Sequence, residues 1–147
     1  LKVPGMKYLW IIMLVFLGFG CVDHNIGCQT NHNLWISNTT VSIPYLECVT
    51  NPARKTGIRF RKVVSDSRCP IDALCIWAGE ATVALEIIES GNVVNDLELG
   101  TMNDVKTIEV DGNEFLITLL RIGPVPKVSD YGDHSDYILE LKISPVE

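Results

Sequence analysis

From residue 40 onward the chain is written in short runs of period two, and this pattern limits its fold more than any other feature. Val41, Ile43 and Tyr45 alternate with Thr40, Ser42 and Pro44. Ile58, Phe60, Lys62 and Val64 alternate with Arg59 and Arg61. Val83, Leu85 and Ile87 alternate with Thr82, Ala84 and Glu86, and Tyr137, Leu139, Leu141 and Ile143 alternate with Ile138, Glu140, Lys142 and Ser144. A strand points successive side chains to opposite faces, so each run can bury one face and wet the other. No stretch after residue 30 keeps a 3.6-residue period over three turns, so no helix is available to cover those faces. The strands must cover one another.

Turn signals separate the runs. Asp111-Gly112 sits between Ile108, Val110 and Phe115, Ile117, Leu119, which predicts a two-residue hairpin. Gly91-Asn92 introduces a weaker strand at Leu97 and Leu99, and Gly123-Pro124 ends the run that begins at Phe115. Pro44 suits an edge strand, where a missing N–H costs no ladder bond. About seven short strands at this spacing predict an all-β domain, an immunoglobulin-like β-sandwich, with a small β-barrel as the alternative. The chain of 147 residues has room for one such domain, over 34–147.

The first 20 residues read as an address. Met6-Lys7 precedes an uncharged run from Tyr8 to Gly20, too short for a membrane span and fitting the apolar core of a secretory signal peptide, residues 1–20. Translation is expected to start at Met6. Gly18-Phe19-Gly20-Cys21 resembles a bacterial lipobox, in which a small residue precedes a cysteine that is lipidated and becomes the new N-terminus. Gly20 and Cys21 match; Leu17 stands one position upstream of the usual leucine. Lipidation of Cys21 would hold the chain to a membrane in the bacterial cell envelope, with polar residues 21–33 as a tether. Loss of residues 1–20 removes two lysines and no acid from a chain whose net charge is already −6. So acidic a chain, without a basic stripe, predicts no nucleic-acid partner.

With Cys21 acylated, four of the five cysteines remain, an even number that suggests two disulfides in an exported protein. Cys69 and Cys75 bracket a proline-containing loop and are paired here. Cys28 and Cys48 are then left for each other, tying the N-terminal segment to the start of the sheet.

Residues 65–81 stand apart from the alternating pattern. Asp66-Ser67-Arg68-Cys69-Pro70, four residues, then Cys75-Ile76-Trp77-Ala78-Gly79 resembles the signature of a family of small bacterial exported proteins and lipoproteins. The match covers Asp66 to Gly79. The resemblance implies export and an all-β domain, and it carries no catalytic residue. Physically, a Cys69–Cys75 bridge would clamp the loop, Gly79 would supply a left-handed turn, and Asp66 and Arg68 could pair or bond the backbone. Trp77 is expected to pack on the disulfide or cap the sandwich, because a large ring is most useful when mostly buried. The functional reading of the stretch is a rigid recognition loop that displays Arg68, Trp77 or Glu80, with Asp66 at its base.

Other constellations carry less. Cys21, His24, Cys28 and His32 have metal-like spacing, but acylation and oxidation would take both cysteines. Asp130, Asp133 and Asp136 offer three carboxylates in one loop without the order of an EF-hand, and they are the candidates for a weak Ca2+ site. His134 is alone in the domain, and Ser135 and Asp136 beside it cannot form a triad, whose members come from separate elements. No phosphate-binding glycine loop is present, and no cofactor is expected. Arg54-Lys55 and Arg59-Arg61-Lys62 form a modest basic cluster, read as a solvated strand face or a contact for anionic lipid or glycan. Asn38-Thr39-Thr40 matches a glycosylation acceptor that matters only in a eukaryotic host.

The sequence therefore leads to a non-enzymatic, lipid-anchored envelope domain that binds a protein or a surface polymer. A small-ligand or Ca2+-binding module is the alternative, and a hydrolase built on a carboxylate pair is a third reading.

Overall fold

The computed structural model describes residues 28–102, 104–130 and 132–147. The signal segment, Cys21 and His24 lie outside the described residues. Nine strands are present among the described residues: β1 (Cys28–Thr30), β2 (Thr39–Pro44), β3 (Cys48–Asn51), β4 (Thr56–Asp66), β5 (Ala81–Glu89), β6 (Asn92–Gly100), β7 (Val105–Val110), β8 (Asn113–Gly123) and β9 (Ile138–Pro145). They form two open sheets, ordered β1-β3-β4-β5-β6 and β2-β9-β8-β7, and the fold is a β-sandwich. Each sheet is largely a meander: β3 to β6 run consecutively in one and β7 to β9 in the other, with β2 joined to the far side of β9.

The count exceeds seven because β1 and β3 are too short to show alternation. Three-residue β1 pairs parallel to β3, with Cys28 opposite Cys48, and the Cys28–Cys48 disulfide holds it there. Residues 28–30, expected in the tether, are thus part of the sheet. The two hairpin signals hold, one with a shift. Asp111 and Gly112 have φ of 54° and 71°, the two left-handed residues of a tight hairpin. The β5–β6 turn falls on Ser90-Gly91, one residue before the expected pair, with φ of 49° and 82°.

The inward faces meet in one core. Ile58 and Phe60 of β4, Val83, Leu85 and Ile87 of β5, and Leu99 of β6 pack toward Ile43, Ile117, Leu139, Leu141 and Ile143 of the second sheet. Each such side chain contributes on the order of 1.5–3 kcal/mol by leaving water. Leu34 and Trp35 join this core from the segment that carries the chain from one sheet to the other. Trp35 is completely buried and meets Phe115 edge-on, with ring centroids 5.3 Å apart. Asn51 holds that crossing in place. Its buried amide donates to the carbonyls of His32 (3.0 Å) and Leu34 (2.9 Å), while its Oδ1 accepts from the backbone N–H of Ala53 and Arg54. A buried polar side chain is tolerated there because both ends are bonded.

Candidate functional site

The 67–80 loop joins β4 to β5 at one end of the sandwich, and its base is built like a short hairpin. Ser67 N–H donates to Glu80 O and Cys69 N–H to Ala78 O, each at 2.8 Å. Gly79, at φ 69°, lies so close to the Ser67 carbonyl that a Cβ would overlap it. The Cys69–Cys75 disulfide closes the outer part of the loop. Two further bonds fasten it to the second sheet's connecting segment: Ile71 N–H donates to Pro126 O (3.0 Å), and Val128 N–H donates to Asp72 Oδ1 (2.9 Å).

Beneath the loop lies a charged clamp. Arg68 grips Asp66 with a two-pronged contact, Nε to Oδ1 at 2.9 Å and Nη2 to Oδ2 at 2.6 Å. Its remaining donors reach across to the second sheet, Nη1 to Ile122 O at 2.6 Å and Nη2 to Pro124 O at 3.2 Å. Tyr137 Oη donates to Asp66 Oδ2 at 2.7 Å, and the Arg68 guanidinium stands 5.4 Å from the centre of the Tyr137 ring. The side chains of Asp66 and Arg68 are only 5% and 12% exposed. A charge so withdrawn from water is tolerable because every face of it is bonded.

Ionisation follows from this packing. Burial pushes the Asp66 carboxyl up, but the hydrogen bonds from Arg68 and Tyr137 and the Arg68 charge outweigh it, and the net shift is downward. Burial lowers the Arg68 pKa, and its bond to Asp66 more than restores it, so the guanidinium is held even more firmly protonated. Burial and the bond to Asp66 push Tyr137 up to about 12. Asp66 is thus a fixed carboxylate and Tyr137 a fixed donor. Neither is poised to exchange a proton near neutral pH. A cavity of about 240 Å³ beside them is lined by Asp66, His134 and Tyr137. His134 lies edge-on to Tyr137, ring centroids 4.9 Å apart.

Above the clamp the loop is apolar and open to water. Leu74 and Ile76 are fully exposed, and Trp77 is 64% exposed. Ile71 and Val128 flank them and are also exposed. Trp77, expected mostly buried, is instead mostly exposed. Arg68, expected on display, is withdrawn into the clamp. Glu80 is half-buried and lines a separate surface groove with Glu98, Asp104 and Lys106. Of the four candidates, only Trp77 belongs to the exposed tip; Asp66 and Arg68 build its support. Leu74, Ile76 and Tyr137 were not singled out by sequence. The available signal for the first two was an apolar cluster inside a loop, without strand alternation.

The remaining candidates separate. Asp130 Oδ1 accepts from Ser129 Oγ, and Asp133 Oδ1 accepts from Ser135 N–H, a bond that helps lower the Asp133 pKa. Asp130, Asp133 and Asp136 do not converge: among the described residues no group of three His, Cys, Asp or Glu is arranged to hold a metal. Cys28 is consumed by its disulfide and cannot ligate a metal with His32. Within the basic cluster, Arg59 bonds Glu86 at 2.9 Å and Arg61 approaches both Glu86 and Asp96. A concavity of about 480 Å³ is an open groove lined by Thr50, Lys55, Arg59, Ile88 and Ser90 among others, at the opposite end of β4 from the loop.

Compared with protein-family models, with curated proteins and with solved structures, the chain finds no match.

Proposed function

We propose that this chain is a non-enzymatic, lipid-anchored domain of a bacterial cell envelope whose clamped loop is a docking surface for another envelope component. The carrying observation is the pairing of exposed Leu74, Ile76 and Trp77 with a support that cannot yield: a disulfide, a buried Asp66–Arg68 pair and bonds to the second sheet. Apolar side chains held rigidly in water lose little conformational freedom on binding, which is what a contact surface needs. The expected partners were a protein or a surface polymer. A polymer of sugars would call for polar groups around the aromatic ring, whereas the loop that displays Trp77 also exposes aliphatic Leu74 and Ile76, which favours a hydrophobic partner.

The anchor follows from the leader and Cys21, and two disulfides accord with an oxidising compartment. Within the Asp66–Gly79 signature, Asp66, Arg68, both cysteines and Gly79 then serve as the support, and Trp77 as the displayed group. The non-enzymatic reading rests on Asp66 and Tyr137 being held in fixed protonation states.

Two variants test this reading. Cys21→Ser, expressed with its own leader, should move from the membrane to the soluble fraction. Leu74→Ser combined with Trp77→Ala should keep the wild-type melting temperature but lose crosslinks formed by a photoreactive residue at position 76. Unchanged crosslinking in the double variant would remove the loop from the account.

A further inference from the structure

We infer that the hydrophobic partner of the loop is the bilayer surface itself, with Leu74, Ile76 and Trp77 seated in the lipid–water interface of the membrane that holds Cys21. This deepens the proposed function and rests on its lipid anchor.

The first support is direction. β1 runs parallel to β3, so Cys28 lies level with Arg59 of β4 and Thr30 level with Gly57. β4 continues from Arg59 to Asp66, at the root of the loop. Traced upstream, β1 therefore points toward the loop's end of the sheet. Seven residues separate Arg59 from Asp66, roughly 23 Å of strand. Seven residues also separate Cys28 from Cys21, with a reach of at most about 25 Å. At full stretch Cys21 comes level with Asp66, the root of the loop.

The second support is the chemistry of the tip. Tryptophan prefers the headgroup boundary, where its ring is apolar and its N–H stays wet, and Leu74 and Ile76 on the same loop supply area for the acyl region. Exposed Asp72, Asp130, Asp133 and Asp136 outnumber Lys127 at this end, so attraction to anionic headgroups is not the driving force. Neutral, zwitterionic lipid is the matching surface. Weak insertion suffices, because an anchor within reach supplies a high effective concentration.

The test uses the full chain, made in a bacterial host with its own leader and reconstituted into phosphatidylcholine vesicles with brominated acyl chains. The chain should float with the vesicles. Its tryptophan emission should be quenched relative to unbrominated vesicles, and Trp77→Phe should abolish that quenching. Trp35, fully buried, is the internal reference. Leu74→Asp with Ile76→Asp should still float and lose the quenching of Trp77. A floating chain with unquenched Trp77 overturns the proposal and assigns the tip to a protein groove. A chain that does not float removes the lipid anchor and this proposal together.

Discussion

Tyr137 and Asp66 belong to opposite layers of the sandwich and are joined side chain to side chain, Tyr137 Oη donating to Asp66 Oδ2 at 2.7 Å. Asp66 closes β4 in one sheet, and Tyr137 immediately precedes β9 in the other. Arg68 completes the bridge by holding Asp66 and the Ile122 carbonyl of β8 at once. The end of the sandwich below the loop is therefore fixed by polar contacts, which frees the apolar residues above it to face outward.

Arg68→Ala should destabilise the domain by about 3 kcal/mol, since it removes the charged partner of buried Asp66 and the donor to two backbone carbonyls. Arg68→Lys should recover only part of this, because an ammonium cannot make the two-pronged contact. Urea unfolding at neutral pH, comparing midpoints at constant slope, measures both.

The clamp also sets two pH limits. Tyr137 has its folded pKa raised from 10 to about 12, so its contribution is fully present below pH 10 and is lost as pH rises toward 12. Asp66 has its folded pKa lowered, so its contribution is present above the ordinary carboxylate value of about 3.9 and is lost as pH falls through the folded value. Tyr137→Phe should lower stability at pH 7 and flatten the decline between pH 10 and 12. An undiminished alkaline decline in that variant would show that another group causes it.

Gly79→Ala should be among the most damaging loop substitutions, at least about 2 kcal/mol, because its Cβ meets the Ser67 backbone at a positive φ. Thermal melting reads the loss. Gly91→Ala, at φ 82° but with open space around it, should cost only the backbone strain, roughly 1 kcal/mol.

Removing the two disulfides one at a time should give unequal effects. The Cys28–Cys48 bridge spans 20 residues and Cys69–Cys75 spans 6. Loop-closure entropy assigns them about 3 and about 2 kcal/mol. The short bridge should matter more to the exposed tip. Cys69→Ser with Cys75→Ser should raise amide exchange over 70–77 while leaving β8 and β9 protected.

Much of the sandwich is legible because a half-buried strand must alternate: Ile58 and Phe60, or Leu139, Leu141 and Ile143, announce their buried face directly. The Asp111-Gly112 hairpin is legible because few residue pairs accept two left-handed conformations. Trp35 is different. It lies in a short Leu34-Trp35-Ile36 run without alternation, and Asn51, which is distant in sequence, reaches back to the Leu34 carbonyl beside it. Trp77 inverts the usual rule for large rings, standing exposed on a loop closed by a disulfide. The spacing of Asp66 and Arg68 hinted at their pairing, but nothing in the sequence marked Tyr137, 71 residues on from Asp66, as the third member.

The most direct test of the central claim is the intact mass of the chain expressed with its own leader in a bacterial host, with and without reduction and alkylation. The account predicts a chain that begins at Cys21, carries a diacylglyceryl group, and yields four alkylated thiols only after reduction. An unlipidated chain that retains its N-terminus, or free thiols before reduction, would contradict the anchored, disulfide-clamped domain described above.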